Sequence, residues 1–168
     1  MAPVWRISRR LAKPVARLLV LSVYAQALLG IVPLGRSDPL ARLLAVGFDG
    51  VAMHIEQLAS SNRAGAILTT DYASQSWFSF YLPSHPQIVQ IDEEFRYPDA
   101  PRADAALLSQ PLIYVVEKRL DRHDLVAAHF AEVTPIAHFD RLRRGVAIAH
   151  YVVYRVAGLR GTPLGRLP

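Results

Sequence analysis

Residues 65–83, GAILTTDYASQSWFSFYLP, decide how the chain is read. Ala66-Ile67-Leu68-Thr69 is an apolar run too short for a helix and is expected to be a buried strand, with Thr70 and Asp71 marking the point where it emerges. From Ser74 to Tyr81 the apolar residues Trp77, Phe78, Phe80 and Tyr81 follow the spacing of a one-sided helix. Strand, polar turn and helix form the first unit of an α/β layer, and open sheets of that kind bind ligands just past the carboxyl ends of their strands. Thr69, Thr70, Asp71 and Tyr72 are therefore the first candidates for a site.

Working outward, the same logic yields further elements. Ser37-Asp38-Pro39 is a helix start with Asp38 as N-cap and Pro39 in the first turn. From Leu40 to Ala59 apolar residues keep a helical period that Gly47 or Gly50 could interrupt, and His54 within it reads as an ordinary helix residue. After the turn Pro83-Ser84-His85-Pro86, Gln87 to Ile91 alternates as a second strand. Asp92-Glu93-Glu94 then reads as a solvated acidic edge, with a metal or acid/base site as the alternative, and residues 95–102, with Tyr97 among two prolines, form a loop that could cross the sheet's carboxyl edge. Asp104 to Gln110 is a short helix. Pro111 to Val116 is the third strand, apolar enough to be covered on both faces. A helix over 121–130, capped by Asp121 or Asp124, follows; His123 and His129 fall on nearly opposite sides of it and cannot share a metal. Glu132 to Phe139 and Val146 to Val156 close the fold as two strands joined by the basic turn DRLRRG, and residues 161–168 make a disordered tail. The fold class is α/β, a small mixed-sheet, Rossmann-like sandwich.

Composition sets the frame for this body. The chain has 168 residues, enough for one core plus an appendage. It is 52% hydrophobic and 20% charged, with a mean hydropathy of +0.19, so apolar residues must be concentrated outside the core. They lie in Leu18 to Leu34, LLVLSVYAQALLGIVPL, a run without a charge. At helical rise this run spans roughly 25 Å, just enough for a hydrocarbon core if Val15, Ala16 and a snorkelling Arg17 contribute. Arg6, Arg9, Arg10, Lys13 and Arg17 precede it, which orients a span with its N-terminus in the cytoplasm and the body outside. Two alternatives stay open: a cleaved signal with Ala25-Gln26-Ala27 as its site, the twin arginines Arg9-Arg10 included, or a buried amphipathic helix of a soluble protein. Three segments result: residues 1–36 as basic N-terminus and transmembrane helix, 37–160 as an extracytoplasmic domain, and 161–168 as tail.

The net charge of +5 belongs mostly to the N-terminal cluster, which flanks an apolar span instead of lining a folded face, so nucleic acid is not the expected partner. Without cysteine there is no disulfide, thiolate nucleophile or thiolate metal site. No metal or cofactor is expected.

The order of features resembles the C-terminal end of the polytopic membrane glycosyltransferases of the protein mannosyltransferase and aminoarabinose-transferase group, which use polyprenyl-phosphate sugars. The resembling pieces are Ser37-Asp38-Pro39, Gly47-Phe48-Asp49-Gly50, Ala66 to Tyr72 with Phe80-Tyr81-Leu82-Pro83, and Arg144-Gly145 leading into His150 to Tyr154. The resemblance implies a last span followed by a periplasmic α/β domain in the inner membrane. It also implies that Thr69, Thr70, Asp71, Tyr72, Trp77 and the loop holding Tyr97 line a surface facing the catalytic part. That family's catalytic acids lie in a loop after its first span, which has no counterpart here, and Asp71 matches a different part of the pattern. The expectation is a truncated or split module without a catalytic residue of its own, partnered by the membrane, a polytopic glycosyltransferase subunit or a lipid-linked sugar. The alternatives are a freestanding envelope- or carbohydrate-binding module and a nonfunctional gene remnant.

Overall fold

The structure, a computed structural model, describes residues 4–92 and 103–160, the side chains of 4–10 excepted. The elements run α1 (Val4–Leu29), α2 (Pro39–Leu43), α3 (Phe48–Ser61), β1 (Ile67–Thr69), α4 (Tyr72–Tyr81), β2 (Ile88–Gln90), α5 (Ala105–Leu108), β3 (Leu112–Glu117), α6 (His123–His129), β4 (Phe130–Arg143) and β5 (Val146–Leu159). The strands form one mixed sheet in the order β2-β1-β3-β5-β4. β2, β1 and β3 are parallel, while β5 runs antiparallel to both β3 and β4. The molecule is thus a mixed α/β protein, and among the described residues one segment, Leu11–Leu29 of α1, is long and apolar enough to cross a membrane.

The alternation of each strand distributes its side chains between two helical layers. On one face Ile67, Ile113, Val115 and Val153 pack with Phe48, Val51 and Ile55 of α3 and Phe78 of α4. On the other, Leu68, Leu112, Tyr114 and Val116 meet Leu108 of α5 and Val126 of α6. Leu112 to Val116 are buried without exception, which is why β3 reads as a continuous apolar run. The helix starts follow their caps: Asp38 accepts the Ala41 amide at 3.0 Å, Asp71 the Ser74 amide at 2.8 Å, and Asp104 the Ala106 amide at 3.2 Å.

Three expectations are corrected. The first helix ends at Leu29, before Pro33, because Gly30 turns left-handed at φ 55° and its amide bonds Gln26 O at 2.9 Å. Ile31 to Leu34 leave the helix as a linker stitched to it by Gln26, whose side chain bonds both the amide and the carbonyl of Val32 at 2.9 Å. The basic stretch DRLRRG is mostly strand, with Asp140 opposite His150 and Arg143 opposite Val146. Only Arg144 and Gly145 turn, both at positive φ (50° and 78°), as the tight hairpin demands. Finally, neither Asp121 nor Asp124 caps α6; Arg122 holds the cap position with no side-chain bond, and Asp121 instead accepts the His123 amide at 3.0 Å. Tyr97, its loop, and residues 161–168 lie outside the described residues.

No part of Leu11–Leu29 is buried in the body. The reading of this segment as a core helix of a soluble protein is therefore set aside.

Candidate functional site

The carboxyl end of β1 delivers the sequence-derived candidates to one edge of the sheet. Thr69 is fully buried, and its Oγ1 has no hydrogen-bond partner among the described residues. Thr70, pointing to the opposite face, is buried with its hydroxyl 3.2 Å from that of Tyr114. Asp71 commits Oδ1 to the cap of α4, whereas Oδ2 is buried without a partner among the described residues. Tyr72 is exposed beside it. Trp77 turns away from this edge: it packs on the α3 side of the core, its ring 6.0 Å from Phe48 and 6.1 Å from Tyr81. The edge thus gathers Thr69, Thr70, Asp71 and Tyr72 and leaves Trp77 in the packing layer.

A tyrosine network that periodicity did not reveal completes one side. The Tyr114 hydroxyl accepts the Arg122 amide at 3.1 Å, and its ring stacks 5.7 Å from Tyr154. Tyr154 donates to Asp121 Oδ2 at 2.5 Å, and the His123 ring stacks on Tyr154 while its Nδ1 lies 3.2 Å from the same carboxylate. Burial pushes the Tyr114 hydroxyl above the usual phenol range, only partly offset by its bonds to Thr70 and Arg122, with the Asp121 and Asp71 charges adding to the rise. Burial first and the Asp121 bond second push Tyr154 up as well. Phenols held this way stay protonated, so neither tyrosine serves as a base, and together they offer ring faces and protonated hydroxyls.

The other side is ionic. Glu117, the last residue of β3, takes Arg42 of α2 at 2.9 Å and Arg119 at 2.6 Å. Behind it Arg141 is buried with its guanidinium 5.3 Å over the Phe48 ring, donating to Val46 O and Ala41 O, each at 2.7 Å. Tyr151 lies against it; burial pushes this phenol up to about 12 despite the guanidinium's opposing pull. Arg42 and Arg141 together bind α2 to the carboxyl edge of the sheet.

The hairpin carries this edge toward the first helix. β3 ends where Glu117 pairs with Tyr151, yet β5 continues back to Val146, about 16 Å farther at strand rise. At its tip Arg143 donates to Gln26 O at 2.8 Å, Ala27 O at 2.6 Å and Asp38 Oδ2 at 2.8 Å. These carbonyls close the last turn of α1, where a cation is favoured. Asp38 is 2% exposed. Burial disfavours its charge, but the Ala41 amide, Arg143 and Gln26 outweigh that and hold its carboxyl below the usual range. Gly30 admits the guanidinium, since a Cβ there would sit 2.6 Å from Arg143 Nε. Nearer β3, Asp140 and Arg36 bond the two ring nitrogens of His150, tying the linker to β5. The carboxyl edge and the exit of α1 therefore occupy the same end of the body.

These arginines escaped the sequence reading because a run of basic residues near a glycine looks like solvated turn. The signal that could have found them is alternation: Arg141 and Arg143 continue the one-face period of β4. Among the described residues no cluster of three metal-ligating side chains occurs. Compared with protein-family models, with curated proteins and with solved structures, the chain finds no match in any of the three.

Proposed function

We propose that the chain is the membrane-anchored C-terminal module of a lipid-linked-sugar glycosyltransferase. In this reading the first helix crosses the inner membrane once with its N-terminus in the cytoplasm, and the periplasmic body covers a catalytic part supplied by a polytopic partner. The parallel β2-β1-β3 half serves as a reduced Rossmann-like unit whose carboxyl edge binds the sugar end of a polyprenyl-phosphate sugar or its acceptor.

One observation carries the reading: the strand-end residues and the exit of α1 share one end of the body, so Thr70, Asp71 and Tyr72 lie on the side from which a ligand held in the membrane by a lipid tail would come. The chemistry of that edge agrees. Asp71 Oδ2 is a buried acceptor without a donor among the described residues, which a sugar hydroxyl would satisfy, and the exposed Tyr72 ring offers an apolar face to a pyranose. The raised phenols suit binding more than proton abstraction.

The test uses the full chain in lipid nanodiscs, titrated with a fluorescent short-chain polyprenyl-phosphate sugar, with polyprenyl phosphate and with free sugar. Saturable binding that prefers the complete lipid-linked sugar and weakens about tenfold in Asp71→Asn, as loss of a charged hydrogen bond predicts, supports the reading. Equal binding by the wild type and the variant, or none by either, removes it.

A further inference from the structure

The linker between the apolar helix and the body is tied down by hydrogen bonds at both ends. Residues 30–38, if extended, would let the body stand up to about 30 Å off the end of the helix. Instead Gln26 stitches Val32 to the last turn, and Arg143 joins that turn to Asp38 and to the hairpin in one half-buried contact. The hairpin tip is therefore held beside the end of the apolar helix, wherever that helix goes.

Exposed apolar residues gather at this place, next to the end of the apolar helix. Directly after the helix, Ile31 is 61% exposed and Val32 53%; across from them on the hairpin tip, Leu142 is 46% and Val146 37% exposed. Leu43 and Leu44 of the α2 region, held to the same end by Arg141, are exposed as well. Between linker and tip lies a cavity of about 200 Å³ lined by Gly30, Ile31, Pro33, Arg143, Arg144 and Val146. Exposed aliphatic side chains beside arginine, continuous with an apolar helix, are the composition that partitions into the headgroup layer of a bilayer.

We propose that this end of the body is a membrane-docking face. Leu142, Val146, Ile31 and Val32 enter the boundary between headgroups and acyl chains, Arg144 meets lipid phosphate, and the carboxyl edge of the sheet is thereby held at a fixed height above the bilayer. The inference rests on the reading of α1 as a membrane span.

The chain has no cysteine, so single-cysteine variants label uniquely. The full-length variants Leu142→Cys, Val146→Cys, Leu43→Cys, Phe80→Cys and Leu21→Cys carry an environment-sensitive fluorophore and are reconstituted one copy per nanodisc, with ordinary or brominated acyl chains. Docking predicts blue-shifted emission and loss of most of it to brominated lipid at positions 142 and 146, as at Leu21 within the span, and none at Phe80, on the far end of α4. Quenching at Leu21 with unquenched, water-like labels at 142 and 146 overturns docking and leaves the span standing. Blue-shifted but unquenched tip labels overturn it too, since the face would then be covered by protein. If Leu21 itself is unquenched, span and docking fall together. All of the labelled positions are exposed, and Leu43 supplies a further reading of the same end should either tip variant fold poorly.

Discussion

Arg143 joins three parts of the chain through one planar group: the last turn of α1, the start of α2 and the hairpin tip. Its side chain is 10% exposed and that of Asp38 2%, so removing the cation strands a buried carboxylate. Breaking such a pair costs about 3–5 kcal/mol, more than the pair itself contributes. Arg143→Ala is expected to lower the denaturation midpoint of the full chain accordingly. Arg143→Ala combined with Asp38→Asn should recover part of the loss, because the stranded charge is gone. The pH dependence has a definite sign. Asp38 has its folded pKa below the ordinary 3.8, so its contribution is complete above that value and vanishes as pH falls through the lowered one. Stability measured by chemical denaturation should drop below about pH 3.8 in the wild type and be flatter there in Asp38→Asn. An unchanged acid limb in the variant would show that the carboxylate is not held as described.

The elements were legible where a local signal coincides with the structure. Asp38 announces α2 because a cap acts on amides two or three residues away; Asp71 and Asp104 cap α4 and α5 in the same way, though in the sequence Asp71 reads as the polar end of a strand and Asp104 only as the start of a short helix. β3 is visible as an apolar run because both its faces are covered. The end of α1 was not, since Leu28, Leu29, Ile31 and Val32 are uniformly apolar and hydropathy is blind to the left-handed turn at Gly30. The true length of the hairpin was hidden by arginines whose partners lie some hundred residues away. Two glycines of the α2–α3 region put the same distinction to a test. Gly47 sits at φ 74° and a Cβ there would lie 2.1 Å from the carbonyl oxygen of Leu142, so the backbone of the hairpin must move. Gly50, inside α3, has nothing among the described residues within 4 Å of its would-be Cβ. Gly47→Ala should destabilise by more than the ~1 kcal/mol of the conformational penalty alone, and Gly50→Ala should stabilise by up to about 1 kcal/mol. Thermal unfolding of the two variants side by side settles the matter; equal shifts would mean that the helix start does not rest on the hairpin.

At the scale of the molecule, the proposed span makes two separate demands: the charge pattern would set the side of the membrane on which the body lies, and the fold would set the end that meets the surface. Arg6, Arg9, Arg10, Lys13 and Arg17 precede or enter the apolar segment, whereas Arg36 and Arg42 follow it closely. Those two are occupied, Arg36 with His150 and Arg42 with Glu117, but they still count against translocation, which is decided before the body has folded. The excess of basic residues ahead of the span should export the body, so an alkaline-phosphatase fusion after Arg160 should be active in a Gram-negative host. Replacing Arg6, Arg9, Arg10 and Lys13 by glutamine leaves Arg17 alone against two following arginines and should cut that activity severely. Replacing Arg36 and Arg42 as well restores an excess ahead of the span and should bring the activity back. A fusion inactive from the start would place the body in the cytoplasm. The strand-end residues would then face the wrong leaflet for a periplasmic lipid-linked sugar, even though the body would still meet its membrane with the same end.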